Sequence, residues 1–113
     1  MAADDPDSRS DTIDEFDAAV NMPPSELERW LRSEDSKRVG QKKGGNESVG
    51  HASGRRIVSI KRKHRADVTE SDLAHMRKVV GYVHRHLSQR PTGDITDTPW
   101  RASLMNWGHD PTK

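Results

Sequence analysis

The chain has 113 residues, 30% of them hydrophobic and 33% charged, with a mean hydropathy of −1.02 and a net charge of +1. A length of this order fits one domain, and so polar a composition predicts a small core with disordered ends. Without cysteine there are no disulfides and no thiolate metal sites, which suits a reducing cytoplasm. No apolar run approaches the ~20 residues of a membrane helix, and the acidic start MAADDPDSRSD lacks the apolar core of a secretory signal.

Residues 1–10 are expected to form a disordered acidic tail, and residues 11–113 a single helical domain. Thr12 followed by Glu15 has the spacing of a capping box, and Ile13, Phe16 and Val20 fall on one helical face. Pro23-Pro24 interrupts that helix and starts another over Ser25 to Glu34, with Leu27, Trp30 and Leu31 on its inner side. Residues 35–50 read as a Gly/Lys-rich loop, its ends pinned by Val39 and Val49. From about His51 to His64 a third helix is predicted, with Val49, Ile57 and Ile60 on one face. There Gly50 and Gly54, four apart, admit a close neighbouring backbone. A strand competes, because Ile57, Val58 and Ile60 are β-branched, but the period-2 alternation fails at Ile57-Val58.

Thr69 N-caps the longest element, with Asp72 at the third position and the stripe Leu73, Met76, Val79, Val80, Val83 and Leu87. Pro91, Thr92 and Gly93 end it. Asp97 or Thr98 caps a last short helix that has Pro99 at its first position, Gly108 just past its end, and Trp100, Leu104 and Trp107 inside. The fold class expected is all-α, a small single domain of four or five helices.

Charge is distributed unevenly along this chain. Residues 1–35 carry eleven acids against three arginines, net −8. Residues 36–65 carry ten cations against Glu47 alone, net +9. Residues 66–113 carry six of each sign. The ten cations are Lys37, Arg38, Lys42, Lys43, Arg55, Arg56, Lys61, Arg62, Lys63 and Arg65. On a helix, Arg55, Arg62 and Arg65 point away from Ile57 and Ile60, while Arg56 and Lys63 flank the opposite edge. Cations on an exposed face, with aliphatics holding the helix to a core, are what a phosphate-binding surface needs. The expected function is therefore nucleic-acid binding, to double-stranded DNA through phosphates and with little sequence discrimination. No helix–turn–helix spacing and no sheet-type aromatic pattern marks a sequence-reading motif. The −8 segment is also expected to fold over the +9 segment and compete with phosphate. The alternative is a protein–protein interaction module, using the basic face toward an acidic partner or the C-terminal tryptophans as pocket fillers.

Catalytic signatures fail on spacing. Gly40 to Gly45, GQKKGG, has a phosphate-loop frame, but Asn46-Glu47 stand where Lys-Ser/Thr is required. In Gly50-His51-Ala52-Ser53-Gly54 the serine is fourth rather than third. Six histidines (51, 64, 75, 84, 86, 109) invite a metal, yet His75 and His86 lie roughly 16 Å apart along a helix, and His84 and His86 point in opposing directions. No enzyme, cofactor, metal or membrane partner is expected, and Trp30, Trp100 and Trp107 are read as core anchors.

The segments DEFDAAVNMPPSELERWL, ESVGHASGRRIVSI, HMRKVVGYVHRHLSQRP and WRASLMNWGHDP, which cover most of residues 14–111, resemble the domain of unknown function 3140 family. Some of its members carry a DNA-binding label, so the resemblance implies that activity. It implies one intact domain and supplies no catalytic or binding residues to carry over.

Overall fold

Pro24 and Pro99 each open a helix, where a missing N–H is no loss and a fixed φ suits the first turn. The computed structural model describes residues 6–39 and 49–113. Helix α1 spans Pro6–Ala19, α2 Pro24–Leu31, α3 Glu34–Arg38, α4 Val49–Lys61, α5 Glu70–Leu87 and α6 Pro99–Asn106, with a 3-10 turn at Arg65–Asp67. Among the described residues every regular element is helical, so the chain is all-α as its sequence predicts.

The long helix begins as expected. Thr69 Oγ1 accepts from the Asp72 N–H (3.1 Å), and Asp72 Oδ2 accepts from the Thr69 N–H (3.0 Å), which closes a reciprocal capping box. Thr98 caps α6 by accepting from the Arg101 N–H at 3.2 Å. Other boundaries differ from expectation. Helix α1 starts at Pro6, so residues 6–10 are helical rather than part of a tail. Thr12 therefore lies inside α1 and caps nothing; its hydroxyl donates to the Ser8 carbonyl one turn back. The second predicted helix ends at Leu31 rather than Glu34, and residues 35–38, read as the start of a loop, join Glu34 in α3, because Ser33 accepts from the Ser36 N–H and the acids precede the cations along the helix dipole. Val49 pins nothing; it is 53% exposed at the start of α4. The third predicted helix ends at Lys61, which leaves Arg62 to Arg65 in the turn beyond it.

Helix α1 packs along α5, and α2 along α4; α6 touches α2, α3, α4 and α5 and joins the two pairs. Phe16 of α1 and Val20 just past its end meet the α5 stripe of Leu73, Met76, Val79 and Val83 in one core with Leu27, Ile57 and Leu104. Val80 and Leu87 sit at its edge, half-buried.

One buried amide ties α6 to α2 and α3. Asn106 Oδ1 accepts from Trp30 Nε1 (2.8 Å) and Ser36 Oγ (2.5 Å), and its Nδ2 donates to the Ser36 carbonyl (3.1 Å). The segment after α6 then returns to the end of α1. Gly108, with φ +84°, lies so close under Val20 that a Cβ would meet its Cγ1 at 2.8 Å. The Met22 N–H donates to the Gly108 carbonyl (3.2 Å), and His109 Nδ1 donates to the Ala19 carbonyl (2.7 Å). Asn21 and Asp110 exchange two hydrogen bonds, at 3.0 and 2.8 Å.

Candidate nucleic-acid interface

Lys42 and Lys43 lie outside the described residues. The fold does not spread the other eight cations over one face; it divides them into sets with different surroundings.

One set serves the scaffold. Asp72, 7% exposed at its side chain, accepts from Lys63 Nζ at 2.5 Å and from Arg56 at 3.4 Å, in addition to the Thr69 N–H. Burial pushes its carboxyl upward, but the hydrogen bonds from Lys63 and Thr69 outweigh this and hold it at about 2. Arg56 also donates to Ser71 Oγ. On the adjoining side, Lys61 reaches Asp17 (3.5 Å) and lies over the Phe16 ring, while Arg65 donates to Asp14 (2.9 Å). Arg56, Lys61, Lys63 and Arg65 thus all face the protein's own carboxylates.

Lys37, Arg55 and Arg62 gather elsewhere, at the groove between α2 and α4. Glu28, Leu31, Arg32, Lys37, His51, Arg55 and Val58 line a cavity of about 370 Å³ there. Arg62 joins through Glu28, to which it donates at 3.2 and 3.4 Å; Arg32 approaches the same carboxylate at 3.8 Å. Hydrogen bonding and charge from Arg62, with Arg32 adding to them, hold the Glu28 carboxyl below its ordinary value. Lys37 makes no ion pair among the described residues. Among the described residues, Arg32, Lys37, Arg55 and Arg62 therefore gather near Glu28, above a floor of Leu31 and Val58. The imidazole of His51 is fixed at the groove by its Nε2, which donates to the Leu31 carbonyl at 2.8 Å. Arg38 points away from this groove. It pairs with Asp35 at a separate cleft of about 460 Å³, where Asp97 and Arg101 also lie and the charges balance.

Sequence reasoning missed Arg32 and His51. Arg32 belongs to the −8 segment and was submerged in its acidity. Its position four residues after Glu28 and five before Lys37 was the available signal.

His75, His86, His109 and the three tryptophans are structural. Five rings stack between α5 and α6 in the order His75, Trp107, Tyr82, His86, Trp100, with centroids 6.3, 4.2, 5.1 and 5.9 Å apart. Trp100 and Trp107 are buried in this ladder, so neither offers a surface that a partner's pocket could receive. Ser53 Oγ lies 2.9 Å from His75 Nε2, a nucleophile-and-base contact by distance. Ser53 is only 4% exposed, within the body of α4, so no substrate carbonyl reaches it. Among the described residues no three His, Asp or Glu side chains converge as metal ligands, and no helix is long and apolar enough to cross a membrane.

The ladder carries a pH dependence. Burial holds both His75 and His86 below the ordinary imidazole value; Arg56 and Lys78 add to this at His75. His86 Nε2 is buried without a hydrogen-bond partner among the described residues. Groups depressed in the fold favour the unfolded state once they protonate, so stability present above about pH 6.5 is lost as pH falls below it. The melting temperature is expected to drop between pH 7.5 and 5, and to drop less in His86→Phe, which keeps the stack without the titration. Equal drops in both proteins would remove His86 from the account.

The architecture defines a small all-α domain in which the end of α6 and the Gly54 turn of α4 face one another. A family model described as protein of unknown function, DUF3140, matches residues 15–105, and the chain belongs to that family. No curated protein and no solved structure matches it.

Proposed function

We propose that this domain acts in the cytoplasm as a nucleic-acid-binding protein that holds double-stranded DNA through phosphates, with low sequence specificity and no catalytic role. The observation that carries the reading is the α2/α4 groove, where Arg32, Lys37, Arg55 and Arg62 stand near Glu28. Glu28 is shared by Arg62 and Arg32, and Lys37 makes no ion pair among the described residues, so a phosphate can enter the groove without displacing the carboxylate. Relative to the expectation from sequence, the proposed site shrinks to the groove and gains Arg32; Arg56, Lys61, Lys63 and Arg65 become secondary.

A polarisation titration with a random-sequence duplex at several salt concentrations tests this. Four phosphate contacts predict a log–log salt slope of about −3 to −4. Lys37→Glu combined with Arg55→Glu is expected to weaken binding at least about tenfold at low salt, since it reverses two of those contacts. Affinity that ignores both salt and the double substitution would remove the groove as a phosphate site. The apolar floor of Leu31 and Val58 supports a second reading, an acidic partner protein that adds one apolar side chain between the cations. That partner would bind with a shallow salt dependence and would lose affinity when Val58 is made polar.

A further inference from the structure

Helix α1 presents two different faces to the molecule. Ile13, Phe16, Ala19 and Val20 are buried in the core, which fixes the helix in place. On its outer side Asp14 and Asp17, three residues apart, meet Arg65 in the turn beyond α4 and Lys61 at the end of α4. Arg65 Nη2 donates to Asp14 Oδ1 (2.9 Å) and also to Ser10 Oγ (3.1 Å) and the Ser10 carbonyl (3.3 Å); Arg9 donates back to the Arg65 carbonyl (2.9 Å). Lys61 Nζ lies 3.5 Å from Asp17. The Arg65 and Asp14 side chains are 50% and 65% exposed. At that exposure the pair adds little to stability, and the apolar face alone suffices to seat α1. The effect of the pairs is on availability. A carboxylate held permanently beside a cation competes as an intramolecular ligand, at an effective concentration that a phosphate in solution must exceed.

We infer that α1 is a built-in competitor for phosphate: Asp14 and Asp17 withhold Arg65 and Lys61 from a polyanion and confine binding to the α2/α4 groove. This rests on the phosphate-binding reading given above and adds its regulation. Asp14 and Asp17 lie in the body of α1, so trimming the first five residues leaves both of them in place.

The full chain is tested as wild type and as Asp14→Asn/Asp17→Asn, each with and without Lys37→Glu/Arg55→Glu, against a random-sequence duplex at 50 and 200 mM salt. Asp11→Asn/Glu15→Gln serves as a control; it removes the same charge from the same helix at exposed positions that make no ion pair among the described residues. Releasing two cations is expected to tighten binding about tenfold at low salt and to steepen the salt slope by about 2, with no such change in the control. A wild type that binds and an Asp14/Asp17 variant that binds identically overturn the competitor and leave the groove standing. Equal tightening by the control overturns it too, because the effect is then one of overall charge. Binding by the Asp14/Asp17 variant alone, undiminished by the groove substitutions, upholds the competitor and removes the groove. No binding by any of the proteins overturns both.

Discussion

Gly54→Ala is expected to destabilise the domain by about 2–3 kcal/mol, although alanine in place of a helical glycine ordinarily stabilises by about 0.5–1 kcal/mol. A Cβ at Gly54 would stand 2.5 Å from the Asn106 carbonyl oxygen and 2.7 Å from Leu31 Cδ2. The leucine can move; the carbonyl belongs to the last residue of α6 and cannot retreat alone. Asn106 is the residue whose side chain holds Trp30 and Ser36, so displacing its backbone also strains the hydrogen bonds that join α6 to α2 and α3. Gly81→Ala is the internal comparison. It lies on the exposed side of α5 with nothing within 4 Å of its Cβ direction, and should raise stability by up to about 1 kcal/mol. Thermal melts should then separate the two variants by more than 10 °C, on the order of what their combined difference implies. Should Gly54→Ala melt level with Gly81→Ala, the close approach of α4 and α6 is not the constraint described.

Asp72→Asn is expected to remove about 2 kcal/mol at neutral pH, and the loss should shrink in acid. The wild-type carboxyl is depressed from 3.8 to about 2 by Lys63 and Thr69 against the opposing effect of burial. A group lowered in the fold contributes its stability above the unfolded value and loses it as pH falls through the folded one, here between about pH 4 and 2. The gap between wild type and variant, about 2 kcal/mol at pH 7, should fall to roughly half by pH 3. Asparagine can still accept from the Thr69 N–H, so the capping box survives in part and the change isolates the charge. Denaturant titrations at both pH values measure it. A gap that stays constant would mean that Asp72 acts by shape and hydrogen bonding alone.

Features decided within a turn of the chain were legible beforehand. Thr69 with Asp72, Thr98 before Pro99, Gly108 past the end of α6 and the α5 stripe each depend on residues a few positions apart. Gly50 and Gly54 were readable as a close approach, although nothing in the sequence named Asn106 and Trp107 as the neighbours. The start of α1 was misjudged because Thr12 has the composition of a cap, and composition does not reveal that the preceding turn is also helical. The candidate site was the least legible part. The −8 and +9 segments are real, but the partners Glu28–Arg62, Asp14–Arg65 and Asp17–Lys61 are 34, 51 and 44 positions apart. A running charge count sees two separate blocks, whereas tertiary packing sets much of one against the other.

The return of residues 108–110 onto residues 19–22 bears on how the chain is made. Leu104 and Asn106 sit fully buried between the helix pairs, and the Gly108 carbonyl and Asp110 close the turn after α1. The earlier helices can form as they leave the ribosome, but their apolar faces have no shared lid until residue 110 has emerged. At roughly 5–20 residues per second that leaves several seconds in which a nascent chain displays Phe16, Leu27 and Ile57 to whatever lies nearby. Synthesis of this domain therefore passes through an interval of exposure that ends only when its final stretch is delivered.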